Sequence, residues 1–297
     1  GFNRPSTLTF HYREQAIWPE AGKESAMSDI VLSQGVRSNL LQLQQTSDLI
    51  TQTQTRLATG KKVNSALDNP INFFTAQGLS VRANDLNALL DAMSTGIDTI
   101  QAANNGISAI TKLVQSAQAL VSQANQTADT SVRATLAAQF NSLLPQIDQL
   151  AGDSGFNGVN LLAGNNLTIV MNEDGSSTVV VTSFNDTVAG NLSINNAANN
   201  WAAGADISAA STQLTAALTT LRSQAQSLSS NLSTVQIRQD FTKAMINTLN
   251  NGADSLTLAD SNEEGANLLA LQTRQQLSTT ALSLASQADQ NVLRLFQ

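Results

Sequence analysis

The sequence predicts a mainly α fold: a long antiparallel helical hairpin or coiled-coil rod, with paired terminal helices and a small β-hairpin region. Apolar residues recur at alternating steps of three and four over four long stretches, the heptad pattern of helices that pack along a seam. Proline and glycine, with 4 and 16 positions in 297 residues, interrupt these stretches rarely. Aromatic residues make up only 4%, so the core is expected to be thin and built from small side chains.

Composition and charge argue against several classes of function. The net charge of −7 leaves no basic surface to neutralise phosphates, so we expect no nucleic-acid partner. Apolar runs are far shorter than the roughly 18 to 20 residues that span a bilayer, so we expect no membrane insertion. The absence of cysteine excludes disulfides, thiolate nucleophiles and thiolate metal sites.

Residues 1–26 differ in composition from the rest of the chain, and we expect them to form a disordered leader. They lack the pattern of a secretory signal. Lys23 and Glu24 can be encoded as a ribosome-binding sequence just upstream of the codon for Met27, so we predict that Met27 is the native start. His11, the only histidine, lies in this leader, and a histidine-based triad or metal site is therefore not expected. We predict no enzymatic activity, and no catalytic, cofactor-binding or metal-binding residues.

The first predicted helix ends at Gly60. Its seam residues are Leu32, Val36, Leu40, Leu43, Ser47, Ile50, Gln54 and Leu57. A polar loop follows, and its characteristic residues are Gly60, Asn64, Ser65 and Asp68. Asp68 or Asn69 is placed to cap the next helix, whose first turn accommodates Pro70.

The longest predicted helix runs from Pro70 to about Ala128. Its clearest seam consists of Ile100, Ala103, Ile107, Ile110, Val114, Ala117, Val121, Ala124 and Ala128. At roughly 1.5 Å per residue, this helix is on the order of 80 Å long. A shorter helix, from about Ser131 to Ala151, is expected to fold back along it, and Pro145 is expected to kink or interrupt that helix.

A β-hairpin is predicted next, because the β-branched runs LTIVM and STVVVT flank an Asp-Gly turn. Asp186 to Gly204 is rich in Asn, Ala and Gly and is predicted to be an exposed loop. Helical periodicity returns at Ile207 and weakens near Asn251 and Gly252. The seam residues of this helix are Ile207, Ala210, Leu214, Ala217, Leu221, Ala225, Leu228, Leu232 and Val235.

The last predicted helix covers Asp260 to Gln297. Its seam residues are Leu269, Thr273, Leu277, Ala281, Leu284, Ala288, Val292 and Leu295. Asp260, Glu263 and Glu264 lie at the start, where the helix dipole favours carboxylates, although such a cluster can also hold a cation. One narrow apolar seam is not stable alone, so this helix needs a partner helix. We expect the seams of the two terminal helices to be buried at least partly between molecules.

Three stretches resemble the bacterial flagellins, in particular short alphaproteobacterial ones. RLATGKKVNSALDNP, from Arg56 to Pro70, is similar to a signature near the amino end of that family. FNGVNLL, from Phe156 to Leu162, and ASQADQNVLRLF, from Ala285 to Phe296, are similar to two further motifs. ADSNEEGANLLALQTRQQL also resembles the usual approach to the carboxyl end. The resemblance covers about Met27 to Gln297.

This resemblance implies a secreted structural subunit of the extracellular flagellar filament. Residues 27–59 with 260–297 would form the paired-helix inner core, residues 60–164 with 206–259 a helical rod, and residues 165–205 a small variable surface region. The polymerisation residues would be Leu32, Val36, Leu40, Leu43, Ile50, Leu57, Leu277, Ala281, Leu284, Ala288, Val292 and Leu295. The implied partners are further copies in a helical homopolymer, alone or mixed with other flagellins, an export chaperone, and hook-associated and filament cap proteins.

Two alternatives remain from the sequence. A hook-filament junction protein is similar in design and in its end sequences, although the terminal VLRLF favours a flagellin. A non-polymerising coiled-coil adaptor or signalling module would share the heptads. Electron microscopy of filaments would distinguish a flagellin from both.

Overall fold

The computed structural model describes residues 34–295, together with every side chain in that range except those of residues 289 and 292–295. Within this range the chain forms five α-helices, one short 3₁₀ helix and a two-stranded antiparallel sheet, which confirms the predicted mainly α class. The elements are α1 (Gln34–Thr59), α2 (Pro70–Gln126), α3 (Thr130–Asp153), β1 (Leu167–Val170), β2 (Thr178–Val181), the 3₁₀ helix (Ala198–Trp201), α4 (Gly204–Thr257) and α5 (Ser261–Leu295). Among the described helices, none combines the length and hydropathy needed to cross a membrane.

The contacts divide the chain into two compact units. The terminal unit comprises the chain up to Gln54 together with Gly265 onwards, and the central unit comprises Thr55–Glu264. Each unit is therefore built around helices, with α1 and α5 each contributing to both units. The predicted domain boundaries, including a separate surface region at residues 165–205, stay a prediction.

Helices α2 and α4 form the main pair of the central unit, and α3 packs on α2. The pair is antiparallel, since Val121 near the end of α2 lies beside Ile207 at the start of α4, whereas Leu79 lies beside Gly252. The predicted α2 seam is buried from Ile100 through Ala124. Ala103, Ala117 and Ala124 lie between branched side chains along it, so the two helices can approach closely at these positions.

The ends of these helices follow the sequence closely. Asn69 caps α2, because its side-chain oxygen accepts the N–H of Asn72 at 3.0 Å, and Pro70 occupies the first turn. Asp129 caps α3 by accepting the N–H of Ser131 at 2.8 Å. These caps satisfy backbone N–H groups that have no partner inside the helix.

Two positions at which the helical signal of the sequence weakens lie inside continuous helices. Helix α3 continues through Pro145, because the burial of Leu144 and Ile147 on the same helix offsets the hydrogen bond that proline removes. Helix α4 continues past Gly252 to Thr257, and Leu249 and Ala253 are buried on either side of the glycine. Tertiary packing outweighs local helix propensity at both positions.

The predicted β-hairpin is present, with Leu167 opposite Val181 and Val170 opposite Thr178. Its turn is closed by Met171, whose N–H donates to the carbonyl of Ser177 at 2.8 Å, and Gly175 supplies a φ of +72°. The hairpin packs against α2 through β1 and against α4 through β2.

The stretch from Asp186 to Gly204, predicted to be an exposed loop, is irregular apart from the 3₁₀ helix and mostly exposed, but buried side chains anchor it. Four side chains in this stretch are buried, namely Asp186, Leu192, Ile194 and Trp201. The Trp201 ring packs against Phe140 of α3 with ring centroids 5.0 Å apart. The polar composition of this stretch suggested that it is exposed to solvent. Its few large apolar side chains, Leu192, Ile194 and Trp201, are fully buried and hold the stretch against the helices.

Candidate assembly helices and their junction

The chain enters and leaves the central unit at adjacent positions. The N–H of Ala259 donates to the carbonyl of Gly60 at 2.9 Å, and the N–H of Lys62 donates to the carbonyl of Thr257 at 2.8 Å. Lys61 and Leu258 form an antiparallel bridge between them. Gly60 has a φ of +67°, a left-handed conformation that favours glycine. This junction holds the end of α1 next to the start of α5.

An ion pair joins the same two helices. Arg56 Nη1 on α1 lies 3.2 Å from Glu264 Oε1 on α5. The Glu264 side chain is buried, whereas Arg56 keeps about a third of its surface in water. A buried carboxylate without a nearby cation is energetically costly. The ion pair therefore stabilises the arrangement in which Arg56, near the end of α1, lies beside Glu264, near the start of α5. The sequence placed Glu264 in an acidic cluster but gave no signal for its partner.

The predicted loop residues lie together in one turn. Asp68 Oδ2 accepts the backbone N–H groups of Asn64 and Ser65, both at 2.9 Å, and Asn64 donates from its side chain to the carbonyl of Lys61 at 3.1 Å. The two backbone hydrogen bonds lower the pKa of Asp68, with a smaller contribution from Arg56. Asp68 therefore stays ionised and organises the loop, and Asn69, not Asp68, caps α2.

Helix α1 has one protected face and one exposed face. The residues with the lowest exposure include Val36, Thr46, Ile50 and Thr53, and Leu43 is half-buried. Of the predicted seam, Val36, Leu43 and Ile50 belong to this protected face, whereas Leu40 and Leu57 are exposed, as are Leu41 and Leu49. Leu32 lies outside the described residues.

Helix α5 also carries leucines on two faces. A half-buried face repeats at alternating steps of four and three: Leu268, Leu271, Gln275, Ser278, Leu282 and Ala285. The predicted seam is the other face, on which Leu269 and Leu277 are 67% exposed and Leu284 is 62% exposed. Ala281 and Ala288 are exposed too, and the side chains of Val292 and Leu295 are not described.

The sequence missed the half-buried face of α5, although the signal was present. Leu268, Leu271 and Leu282 belong to a second set of positions at alternating steps of three and four, which differs from the predicted seam. Periodicity therefore allowed two registers, and nothing in the sequence decided between them. Carrying leucines on both faces is unusual for a helix that only packs inside one subunit, and it leaves a continuous apolar strip in water.

The exposed faces of α1 and α5 can act by burying apolar side chains against another helix. The α1 and α5 faces consist mainly of leucine, valine, isoleucine, alanine, glutamine, serine and threonine, and Arg56 and Glu264 are paired with each other at the junction. Among the side chains that the structure describes, no three carboxylate or histidine groups gather where they could hold a metal ion. Asp260 caps α5 by accepting the N–H of Asn262 at 2.8 Å. The fold and this site define a helical structural protein whose exposed terminal helices suit association.

Comparison with known families identifies the class more narrowly. The bacterial flagellin N-terminal helical region matches residues 32–167, and the bacterial flagellin C-terminal helical region matches residues 211–296. Together they cover both exposed helix faces and the junction. The chain belongs to the bacterial flagellin family.

Full-length relatives agree with this assignment. The chain is 32% identical over 275 residues to flagellin FljM of Caulobacter vibrioides, covering 92% of this chain and 100% of that protein. It is 26% identical over 282 residues to a flagellin of Brucella melitensis, covering 91% and 100% of the two chains. The crystal structure of Bacillus cereus flagellin matches 52% of this chain and 88% of its own at 19% identity, with a TM-score of 0.43.

Proposed function

We propose that this chain is a structural subunit of the bacterial flagellar filament, and that copies assemble by burying the exposed leucine faces of α1 and α5 against one another. The observation that carries the proposal is the pair of leucine faces on α5, of which Leu269, Leu277 and Leu284 form the exposed one. Flagellins that match the chain over their full length support the same function.

The exposed leucines supply enough apolar surface to drive association. Fully burying a leucine side chain contributes about 1.5–3 kcal/mol, so a face with three leucines on α5 and several on α1 can offset the entropic cost of binding. The half-buried face of α5 repeats with the same period as the protected face of α1. We infer that these two faces pair within a subunit, which leaves the leucine faces for neighbours.

The geometry favours an open polymer. The exposed faces of α1 and α5 differ in sequence, so contact between copies is heterologous, and repeated heterologous contacts that do not close generate a helical filament. We infer that the product is secreted and becomes part of the extracellular filament. Its further partners would be an export chaperone and the hook-associated and cap proteins, and its role is structural, with no enzymatic activity.

Substitution of the exposed leucines tests this proposal. Replacing Leu277 and Leu284 by glutamine keeps a good helix former at two positions where the subunit itself buries little surface. We expect the thermal unfolding of the monomer to change little and filament formation to be lost. Purified protein would be dissociated by heat, returned to assembly conditions, and examined by sedimentation and electron microscopy.

A matched control lies one residue away on α5. Gln276→Ser changes an exposed polar side chain that belongs to neither leucine face, and this variant should assemble like the unchanged protein. Filaments of normal yield from the leucine double variant would refute assembly through α5. If the unchanged protein itself gives only folded monomers under these conditions, the non-polymerising adaptor becomes the better interpretation.

A further inference from the structure

The carboxyl group of Asp186 is buried in the central unit and takes no part in the proposed assembly through α1 and α5. Asp186 follows β2 and has 0% of its surface exposed. Its backbone N–H donates to the carbonyl of Leu162 at 3.0 Å, and its Oδ1 accepts a hydrogen bond from Gln224 Nε2 on α4 at 2.7 Å. A buried charge normally requires a cationic partner, and this carboxyl has a neutral amide instead.

Gln224 is itself unusual, because it interrupts the apolar seam of α4. Leu221 and Leu228, one turn to either side, are fully buried, and the predicted seam residue at this turn was Ala225. The structure places Gln224 inside and leaves Ala225 only half-buried. A polar side chain in the middle of such a seam implies that its contact with Asp186 is specific.

The two side chains leave two oxygens without a partner. Within the described residues, neither Asp186 Oδ2 nor Gln224 Oε1 has a hydrogen-bond partner, although both atoms are buried. Both are acceptors when the carboxyl is ionised, so no rearrangement of this pair alone can satisfy them. One proton on Oδ2 changes this, because a protonated carboxyl donates from one oxygen and accepts on the other.

We propose that at mildly acidic pH Asp186 is protonated in the folded protein and pairs with Gln224 through two hydrogen bonds, as a proton-dependent latch that docks residues 184–194 onto α4. In this latch Gln224 Nε2 donates to Oδ1 and the carboxyl proton on Oδ2 is donated to Gln224 Oε1. The latch anchors a stretch that also buries Leu192 and Ile194 and contains the hydrogen bond from Asn191 N–H to the carbonyl of Asn185 at 2.7 Å.

The surroundings support a neutral carboxyl. Burial raises the pKa of Asp186 to about 6, and the neighbouring side-chain amides of Gln224 and Asn191 offset the rise only in part. The adjoining loop, residues 160–164, carries no charged residue. The charged side chains on neighbouring helices include Asp148, which accepts the N–H of Val188 at 2.6 Å, and Arg222; both are exposed, and neither contributes to this pKa shift.

The sign of the pH dependence follows from this shift. The folded-state pKa of about 6 lies above the ordinary value of 3.8, so the folded protein binds the proton more tightly than the unfolded chain does. The latch therefore stabilises the fold most at low pH, and its contribution falls as pH rises from about 4 to about 6. Between about pH 5 and about pH 7.5, this group alone lowers the folding equilibrium constant by about tenfold.

The variant Asp186→Asn tests the latch, because asparagine can donate from Nδ2 to Gln224 Oε1 and needs no proton. Urea unfolding of the full-length monomer would be measured at about pH 5 and about pH 7.5 for the unchanged protein, for Asp186→Asn and for Asp148→Asn. We expect Asp186→Asn to be more stable than the unchanged protein at the higher pH and to lose the tenfold fall. Asp148→Asn, which alters an exposed carboxylate of α3 that contacts the same stretch through Val188, should keep that fall.

A direct titration covers the case in which Asp186→Asn does not fold. The carboxyl ¹³C resonance of Asp186, assigned in the unchanged monomer, should titrate with a midpoint near the raised value. A midpoint at the ordinary value for aspartate, or a tenfold fall that persists in folded Asp186→Asn, would overturn the proposal.

Discussion

At the scale of single residues, the central unit depends on close approaches that only small side chains allow. Gly106 on α2 faces Ser154 and Leu162, and a Cβ added there would lie 2.6 Å from Ser154 Cβ and 2.8 Å from Leu162 Cδ1. Gly78 on the same helix has nothing within 4 Å of the added Cβ. The two glycines therefore serve different purposes in one helix.

These two glycines give a paired prediction. Gly106→Ala should lower the free energy of unfolding by about 1–3 kcal/mol, because Ser154 and the FNGVNLL segment must move to make room. Gly78→Ala should raise that free energy by about 0.5–1 kcal/mol, since alanine is the better helix former in open space. Urea unfolding of the monomeric protein measures both. Equal effects of the two substitutions would contradict the packing described around Gly106.

At the scale of elements, the junction joins the end of α1 to the start of α5 within the central unit. Backbone hydrogen bonds between Gly60 and Ala259 and between Lys62 and Thr257 hold the two chain segments together, and Arg56 with Glu264 extends this contact by one helical turn. The ion pair is partly buried, so it should be worth more than a surface pair and should be screened less by salt.

Removing one partner of this ion pair should cost more than removing both. Arg56→Ala leaves the buried Glu264 carboxylate unpaired and should lower the free energy of unfolding by about 1–3 kcal/mol. Adding Glu264→Gln to that variant removes the charge and should recover part of the loss. A double-mutant cycle measured by urea unfolding gives the coupling between the two side chains.

The exposed pair of Lys243 with Asp240, at 3.6 Å, is the control for this cycle. Lys243→Ala should change the free energy of unfolding by no more than about 0.5 kcal/mol. If the coupling free energy between Arg56 and Glu264 is no larger than the change caused by Lys243→Ala, the ion pair does not stabilise the junction.

The sequence predicted a helix and its buried face correctly where the apolar residues of that helix fit a single seam. The α2 seam keeps one register of alternating three- and four-residue steps, so periodicity predicted both the helix and the buried set from Ile100 to Ala124. On α5, leucines satisfy two registers, and only the structure shows which face the subunit protects. Periodicity reports that a face is apolar but does not report what covers it.

Other features were beyond local sequence reasoning because they depend on distant contacts. The burial of Asp186 and Trp201 requires α4 and α3 to lie against an Asn-rich stretch, and the pairing of Arg56 with Glu264 joins residues far apart in the chain. Neither contact leaves a spacing pattern. The continuation of α4 past Gly252 likewise reflects packing, which overrides the local signal of glycine.

At the scale of the whole molecule, association must come from apolar burial, since each copy carries a net charge of −7 and like charges repel. Salt on the order of 0.15 M screens this repulsion beyond roughly 8 Å and leaves the leucine contacts intact. On the described part of α5, Leu269, Leu277 and Leu284 form a regular exposed leucine face. We therefore expect α5 to be required for filament formation but not for the fold of the central unit.

The most direct test compares the full-length chain with a version lacking residues 277–297, both purified as monomers and returned to assembly conditions. Electron microscopy should show filaments for the full-length chain alone. Urea unfolding should show that the central unit keeps its stability in the shortened chain, because α5 from Gly265 onwards belongs to the other unit. Filaments of the shortened chain, formed at normal yield, would contradict assembly through the terminal helices.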